Sequence, residues 1–257
     1  MSKIVCFLKF GEKDHMQGLA LGKLFFSNAL KYRQIEEELF IKGQGDKLEG
    51  GSIIHAQNVT MIDNGSQEVV MTGIRGNMLV HYEPANLLPV YCLFACYEKD
   101  CTVNAEGKLE FHLSKEIERN VREHFPKANA VAIIDNPEQF VTNVKSSIKT
   151  ECVSGEVNYF NLYGMDSAQG QANDIRYFKY LTQDIPPEKV DGGMKYTFSA
   201  KYVYRSLLCK DVFFENEQEY RFVLPEEKIS TGTIYTVNVE KEIAVVELDE
   251  FFDGNKR

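Results

Sequence analysis

FFENEQEYRF, residues 213–222, carries three glutamates two positions apart, Glu215, Glu217 and Glu219, and then continues as an alternating strand pattern. In a single strand these three residues would share one face, and their charges would repel. We therefore predict that the strand begins at Glu219 and that Glu215 and Glu217 lie in a solvent-facing turn before it. Arg221 then shares the face of Glu219 as its candidate counter-charge.

The opposite face of this strand, with Tyr220, Phe222 and Leu224, is predicted to face the core. A Glu-x-Arg pair on a strand face is also typical of an ordinary surface ion pair, which contributes under about 1 kcal/mol. The stretch therefore predicts a strand boundary and leaves open whether its charges have a function.

Outward from this stretch, hydrophobic alternation predicts many strands and a smaller number of helices. The predicted strands are KIVCFLKF (3–10), LFFSN (24–28), SIIHAQNVTMI (52–62), QEVVMTGI (67–74), MLVHYEP (78–84), PVYCLFACY (89–97), ANAVAIID (128–135), CVSGEVNYFNLY (152–163), EYRFVLP (219–225), TGTIYTVNV (231–239) and EIAVVEL (242–248). The predicted helices are DHMQGLALGK (14–23), NALKYRQIEEELF (28–40), SKEIERNVREHF (114–125), the segment from Asn136 to about Lys149, and KYVYRSLLCK (201–210). Ser114 and Asn136 are predicted to cap the third and the fourth of these helices.

The turn signals favour antiparallel pairing. Asp63-Asn64-Gly65-Ser66 joins the strands at 52–62 and 67–74 as a hairpin, and the strands at 78–84 and 89–97 are predicted to form the next pair. We expect an α+β chain with mainly antiparallel sheets and an early helical segment. One domain is expected over residues 1–257, with a polar stretch at 164–193 as a lid or insertion.

Composition limits the classes of function. The net charge is −9 over 257 residues, which argues against a broad nucleic-acid-binding face. No apolar run reaches the roughly 18 residues that a membrane span needs, and the N-terminus is typical of a first strand, so we expect no membrane association and a cytoplasmic protein. The six cysteines lack zinc-ligand spacing; they are predicted to be buried reduced thiols, and no metal is expected.

Three short motifs occur in a recognisable order. The first strand ends in Lys9-Phe10, the second ends in Phe-Ser-Asn before a Gly/Asp loop, GQGDKLEGG (43–51), and a late strand carries Glu-x-Glu-Tyr-Arg (217–221). This order resembles bacterial abortive-infection and toxin-type proteins of the ADP-ribosyltransferase-like family. The messenger-RNA-modifying ADP-ribosyltransferase toxins of phage-defence systems are the nearest comparison. The resemblance covers only the two ends of the chain.

The resemblance implies an ADP-ribosyltransferase-like fold that uses NAD as its substrate. Cleavage of the nicotinamide–ribose bond develops positive charge on the ribose, as in glycoside hydrolysis. In this reading Glu219 stabilises that charge, and Glu217 engages the acceptor. The loop at 43–51 is not a Walker loop, because it lacks the Gly-Lys-Ser/Thr ending, and its glycines are predicted to permit a tight, exposed turn.

The same resemblance assigns residues to NAD binding. Ser27 and Asn28 are expected to hold the ribose or the nicotinamide amide, Tyr32 or Tyr220 to stack on nicotinamide, and Arg33 or Lys9 to pair with the pyrophosphate. Each has an ordinary structural alternative. Ser27-Asn28 is also typical of a helix cap, Tyr32 of packing, and Arg33 of a solvated surface residue.

We therefore expect an NAD-dependent ADP-ribosyltransferase, of the glycosyltransferase class, or an NAD glycohydrolase. It would act as an intracellular toxin or antiphage effector on RNA, protein or water, with an antitoxin or a phage protein as its partner. The alternative is a non-catalytic module on the same fold that senses a nucleotide or a phage protein. Lys9-Phe10 favours that alternative, because the best-known ADP-ribosyltransferases have Arg or His there and a Ser-Thr-Ser triplet further on. A structural partner subunit without a small ligand is a third reading.

Overall fold

In a computed structural model of the chain, the structure describes residues 3–39, 46–63, 65–162, 174–191, 193–239 and 243–254. Among the described helices, none combines the length and apolar character needed to cross a membrane. The chain folds as a mixed α+β protein with mostly antiparallel sheets, which confirms the predicted class.

The strands, in chain order, are β1 (Ile4–Gly11), β2 (Lys23–Asn28), β3 (Gly51–Ile62), β4 (Val69–His81), β5 (Pro89–Tyr97), β6 (Cys101–Val103), β7 (Leu109–Phe111), β8 (Ala130–Ile134), β9 (Val153–Glu156), β10 (Asn158–Phe160), β11 (Glu188–Val190), β12 (Gly193–Lys195), β13 (Cys209–Asp211), β14 (Glu219–Val223), β15 (Thr233–Thr236) and β16 (Ala244–Glu247). The α-helices are α1 (Lys13–Ala20), α2 (Ala29–Leu39), α3 (Lys115–His124), α4 (Pro137–Ser147), α5 (Ile175–Leu181) and α6 (Leu248–Gly254). Short 3₁₀ helices lie at Glu83–Ala85, Ala200–Leu208 and Val212–Glu217.

The main sheet runs β15–β2–β5–β1–β8–β16, with β14 on β5 and β9 on β14. All of these pairings are antiparallel. Among the described strands, β10 and β13 form a parallel pair beside the main sheet. The candidate strand β14 is therefore held between two neighbours, with β5 on one side and β9 on the other.

β1 and β2 both pair with one edge of β5, but with separate segments of it. β14 pairs with β5 from Val90 to Phe94. β1 also pairs with Phe94 and β2 with Val90, so both must lie on the edge of β5 opposite to β14. β1 covers Phe94 to Tyr97 and β2 covers only Pro89 and Val90. Cys92 lies between the two segments, so the sheet is split there.

Both faces of the main sheet are buried. One face packs against α1 and α4 through Phe7, Phe26, Tyr91, Phe140 and Phe222. The other face packs against α3 and α6, and its apolar residues include Leu8, Phe94, Ile117, Val121 and Phe252. The prediction that Tyr220, Phe222 and Leu224 face the core is confirmed.

The predicted pairing of the middle strands is wrong in one respect. The segments 67–74 and 78–84 do not form separate strands, because residues 69–81 run as one long strand that pairs with β3. The run 89–97 instead joins β1, β2 and β14 in the main sheet. Its burial on both faces fits a near-continuous apolar sequence better than a solvent-facing hairpin.

The helix starts predicted at residues 114 and 136 agree with the structure, whereas the predicted helix 201–210 is a 3₁₀ helix that ends at Leu208. The Ser114 side chain accepts a hydrogen bond from Ile117 N, and the Asn136 side chain accepts one from Gln139 N, so both predicted caps are confirmed. The helix α6 was not predicted. The run 152–163 forms two short strands in different sheets, β9 and β10.

The stretch 164–193 is described from residue 174 onward, apart from residue 192. Its helix α5 buries Tyr177 and Leu181 against Phe160 and Leu162, so this part of the stretch belongs to a hydrophobic cluster. Residues 163–173 lie outside the described residues. The six cysteines are free thiols, as predicted, but only four are buried, Cys6, Cys96, Cys101 and Cys209, whereas Cys92 and Cys152 are half-buried.

Candidate active site

The turn before β14 is fixed by one buried glutamine. Between the 3₁₀ helix Val212–Glu217 and β14, Gln218 adopts a left-handed conformation with φ 42°, which non-glycine residues rarely adopt. Its side-chain amide donates to Ala95 O at 3.1 Å and to Asp100 Oδ2 at 2.9 Å. These two hydrogen bonds fix the turn, so that Glu217 and Glu219, on either side of Gln218, both reach the ammonium group of Lys210.

Five charged side chains form a continuous ion-pair network: Glu49, Lys210, Glu217, Glu219 and Arg221. Lys210 Nζ contacts Glu217 Oε2 and lies 3.5 Å from Glu219 Oε1. Arg221 Nε donates to Glu219 Oε2 at 2.5 Å, and its terminal nitrogens donate to the two Glu49 oxygens at 2.6 and 3.0 Å. Arg221 and Glu49 are each 1% exposed.

The network corrects two sequence expectations. The predicted strand start at Glu219 is confirmed, but its pair with Arg221 is buried rather than a surface ion pair. Glu215 is exposed, as predicted. Glu217 does not face water, because its side chain turns to Lys210 and is only 13% exposed.

The two candidate carboxyls differ in protonation. Burial by itself raises the pKa of Glu219, but Arg221 and Lys210 outweigh burial and lower that pKa to about 2. For Glu217, burial prevails over Lys210 and raises the pKa to about 8. Glu217 Oε1 is buried and has no hydrogen-bond partner among the described residues. An ionised carboxylate beside a protonated one is the pattern that assigns electrostatic and proton-transfer roles in hydrolases.

The loop at 43–51 is not the exposed turn that its glycines predicted. Residues 43–45 lie outside the described residues. Asp46, Leu48 and Glu49 are all buried, because Glu49 reaches into the sheet to pair with Arg221. Burial raises the pKa of Asp46 to about 7, and its Oδ2 has no hydrogen-bond partner among the described residues.

Lys9 fills the split in the main sheet. Its ammonium donates to Cys92 O at 2.6 Å, at the position of β5 that lies between the β1 and β2 pairings. It also lies 4.9 Å from the centre of the Tyr91 ring. Burial lowers the pKa of Lys9, and the nearby Glu219 charge opposes that effect. The ammonium group of Lys9 thus lies where the β1 and β2 pairings separate along β5, close to Glu219.

A small cavity of about 80 Å³ opens beside these groups. Its polar lining includes Lys9, Cys92, Glu217 and Glu219, and its apolar lining comes from β1, β5 and α3. The lining residues are Leu8, Lys9, Phe10, Cys92, Leu93, Phe94, Ile117, Asn120, Val121, His124, Phe125, Asn216, Glu217 and Glu219. The structure therefore brings together three of the predicted site residues, Glu217, Glu219 and Lys9.

Ser27 and Asn28 do not line this cavity. Ser27 is buried in β2 opposite Val90. The Asn28 side chain accepts from Lys31 N at 2.9 Å and donates to Ile229 O at 2.7 Å. The helix-cap alternative is therefore confirmed for Asn28, and its amide is committed within the protein.

Tyr32 and Arg33 lie behind the network rather than in the cavity. Tyr32 packs under the sheet with its hydroxyl 3.9 Å from Cys92 Sγ. Arg33 is buried and donates to Glu49 O and to Asn86 Oδ1, each at 2.5 Å. The expectation of a solvated Arg33 is wrong, because this arginine anchors the loop that supplies Glu49.

Tyr220 faces away from the cavity. Its ring lies 4.8 Å from that of Phe7 in the core, and its hydroxyl lies 2.9 Å from Ser154 Oγ. Strand alternation explains this placement, since Tyr220 follows Glu219 directly and must point to the opposite face. For Tyr32, Arg33, Tyr220, Ser27 and Asn28, a contact with NAD remains a prediction that the geometry does not favour.

Sequence reasoning missed Lys210 and Glu49. Lys210 ends a run predicted as helix, but the 3₁₀ helix Ala200–Leu208 stops before it and Lys210 lies in β13. Glu49 lies in the loop at 43–51, which was predicted to be an exposed turn. In the sequence, only the charge of these two residues indicates a role in the site. Glu49 pairs with Arg221 far along the chain, and Lys210 pairs with Glu217 and Glu219 in other elements.

No protein-family model, curated protein or solved structure matches this chain. An ADP-ribosyltransferase-like family is therefore supported only by the resemblance of the short motifs in the sequence.

The raised pKa values predict a pH-dependent stability. On folding the pKa of Glu217 rises from 4.5 to about 8, and that of Asp46 rises from 3.8 to about 7. In this window the folded state binds more protons than the unfolded state, so each group lowers the free energy of unfolding as pH rises, by at most about 1.4 kcal/mol per pH unit. Urea unfolding at about pH 5, 6.5 and 8, values chosen to bracket this window, should show Glu217→Gln and Asp46→Asn gaining stability relative to wild type as pH rises.

Glu106→Gln serves as the control for this series, because Glu106 forms an exposed pair with Lys108. Its stability difference from wild type should stay constant between about pH 5 and 8. Profiles of Glu217→Gln and Asp46→Asn that run parallel to wild type would show that neither carboxyl is protonated by burial.

Proposed function

We propose that the chain is an NAD-cleaving enzyme with an ADP-ribosyltransferase-like fold. The observation that carries this proposal is Glu219. It is an ionised, Arg221-anchored carboxylate at the start of a strand and at the wall of a cavity. The split between β1 and β2 along β5, with Lys9 inside it, supports a ligand site at the same place.

Bond cleavage in NAD needs a fixed negative charge near the ribose. As the nicotinamide–ribose bond breaks, the electron pair leaves with nicotinamide and the ribose becomes oxocarbenium-like. Glu219 accepts hydrogen bonds from the ribose hydroxyls in this proposal and stabilises the developing charge. Because Arg221 and Lys210 already hold the carboxylate in place, little reorganisation is needed at the moment of reaction.

Glu217 has the complementary role. With its pKa near 8, it exchanges a proton close to neutral pH, which suits a group that takes a proton from an incoming acceptor hydroxyl or amine. Glu217 lines the cavity and its Oε1 has no hydrogen-bond partner among the described residues, so the proposal assigns that contact to this atom. RNA, protein and water all remain acceptors within this proposal, and a toxin or antiphage effector is the biological role that the resemblance implies.

NAD labelled in its adenylate phosphate tests the transfer step. Purified wild type is incubated with the labelled NAD and with total RNA or protein extract, and the label is then counted in RNA, in protein and in free ADP-ribose. We expect label in one of the three fractions. Its absence from all of them, with folded protein, would contradict a transferase or glycohydrolase function.

A non-catalytic nucleotide-sensing module is the second candidate. It is favoured by Lys9-Phe10 at the end of the first strand, where the best-known ADP-ribosyltransferases have Arg or His. This candidate predicts stabilisation by a nucleotide without turnover. A ligand present at about a hundredfold excess over its Kd should add about 2.7 kcal/mol to the free energy of unfolding.

A further inference from the structure

Lys210 lies at the centre of the ion-pair network beside the cavity. It is 4% exposed, and its ammonium bridges Glu217 Oε2 and Glu219 Oε1. It also lies 4.3 Å from the centre of the Phe214 ring. A lysine buried to this extent and placed between two carboxyls does more than hold an ordinary surface pair, because desolvating an ammonium group is costly unless its partners are fixed.

The backbone around Lys210 is built to hold it there. β13 pairs in parallel with β10, and in that register Lys210 lies beside Tyr159. The Tyr159 hydroxyl in turn accepts a hydrogen bond from Glu219 N at 2.9 Å. Through β10 and Tyr159, the strand that carries Lys210 is thus linked to Glu219, the first residue of β14.

We infer that Lys210 is the positioning residue of this site: its ammonium contacts both Glu217 and Glu219 and fixes the two carboxyls side by side at the cavity. This inference takes the two glutamates as the reactive carboxyls and so rests on the proposed function. Lys210 does not line the cavity and is not expected to touch the substrate.

The charges around Lys210 decide what its loss would do. The groups that face it are Glu217, Glu219, Arg221 and Asp46, with Tyr159 and His124 nearby. Without the ammonium, Glu219 keeps Arg221 as a partner, whereas Glu217 loses the only cation that it contacts among the described residues. Both carboxyls then become easier to protonate, and Glu217 is affected more.

Carboxyl titration tests this directly. Glutamate labelled with ¹³C at the side-chain carboxyl is titrated by NMR in wild type, Lys210→Met, Lys210→Arg and the exposed-site control Lys108→Met. The signals are assigned by their loss in Glu217→Gln and Glu219→Gln. We expect Lys210→Met to raise the pKa of both carboxyls by about 1–3 units, as removal of a neighbouring opposite charge does, and Lys210→Arg and Lys108→Met to leave them close to wild type.

Unchanged titrations in Lys210→Met would overturn the inference, as would an equal shift in Lys210→Arg. If Lys210→Met fails to fold, the wild type still decides the question through the ε-carbon signal of Lys210. Burial alone lowers the pKa of this lysine, but the two carboxylates outweigh burial and raise it, so the signal should titrate above the ordinary range for lysine. Titration within or below that range would overturn the inference.

The rate of nicotinamide release, measured as a function of pH, distinguishes failure of this inference from failure of the proposed function. If wild type releases nicotinamide from NAD, Lys210→Met should shift the pH–rate profile upward and Lys210→Arg should restore it. A merely structural lysine would lower the rate at every pH without moving the profile, and this result would also count against positioning. If wild type releases no nicotinamide, the proposed function fails, whereas the carboxyl titrations still show whether the Lys210 ammonium holds both carboxyls.

Discussion

Glu219→Gln is expected to lower the rate of nicotinamide release from NAD by about 10²–10⁴-fold, the range that follows loss of a positioned charged or proton-transferring group. The amide keeps the size of the side chain but removes the negative charge that would stabilise the ribose. Arg221 keeps its two bonds to Glu49, so the strand and the cavity should persist. The release rate is measured at saturating NAD and about pH 7.5, where the wild-type protein holds Glu219 ionised and most of Glu217 protonated.

Two comparisons make this prediction specific. Glu215→Gln alters the exposed glutamate of the same motif and should leave the rate within about threefold of wild type, as expected of a surface change away from the site. Circular dichroism and thermal unfolding should show that both variants are folded. Equal activity of Glu219→Gln and wild type would mean that the site lies elsewhere.

Glu49→Gln is expected to lower the free energy of unfolding by about 3–5 kcal/mol, the usual cost of removing one partner from a buried ion pair. Arg221 is almost fully buried and donates two of its hydrogen bonds to this carboxylate. The neutral amide leaves one of these donors poorly satisfied and the guanidinium charge only half compensated. Urea unfolding near neutral pH measures the change.

The chain offers its own matched control. Glu106→Gln removes a carboxylate from an exposed pair with Lys108 and should cost under about 1 kcal/mol. The double variant Glu49→Leu/Arg221→Met removes both buried charges and should be less destabilised than either single change. If Glu49→Gln costs no more than Glu106→Gln, the ion-pair network does not stabilise the fold.

Local signals in the sequence were enough to place the candidate strand and several helices. The repulsion among three glutamates correctly located the strand start at Glu219, and capping residues located the starts of α3 and α4. Such features depend on residues within a few positions of one another, and short-range sterics and hydrogen bonds decide them.

The ion-pair network could not be predicted in the same way. Glu49 and Arg221 are 172 positions apart, and no pattern in either segment indicates which charge the other will meet. The burial of Arg221 also reverses the ordinary expectation for an arginine on a strand. Lys210 was hidden in a run whose apolar spacing suits a helix, although the chain leaves the 3₁₀ helix one residue earlier, at Cys209.

The middle strands show a different limit. The segments 67–74 and 78–84 each have strand-like composition, and Gly76 lies between them. The two segments nevertheless form one strand that pairs with β3 along its length. A glycine in a strand weakens it but does not have to end it, and only the register with the partner strand settles the question.

Nicotinamide release by purified wild-type protein decides whether the chain cleaves NAD at all. It is measured with NAD alone, with total RNA and with a protein extract, on protein shown to be folded by circular dichroism. We expect release that one of the extracts accelerates, which would also identify the acceptor class. No release under any of the three conditions would contradict an NAD-cleaving site at Glu219 and would leave the buried ion-pair network with a structural role.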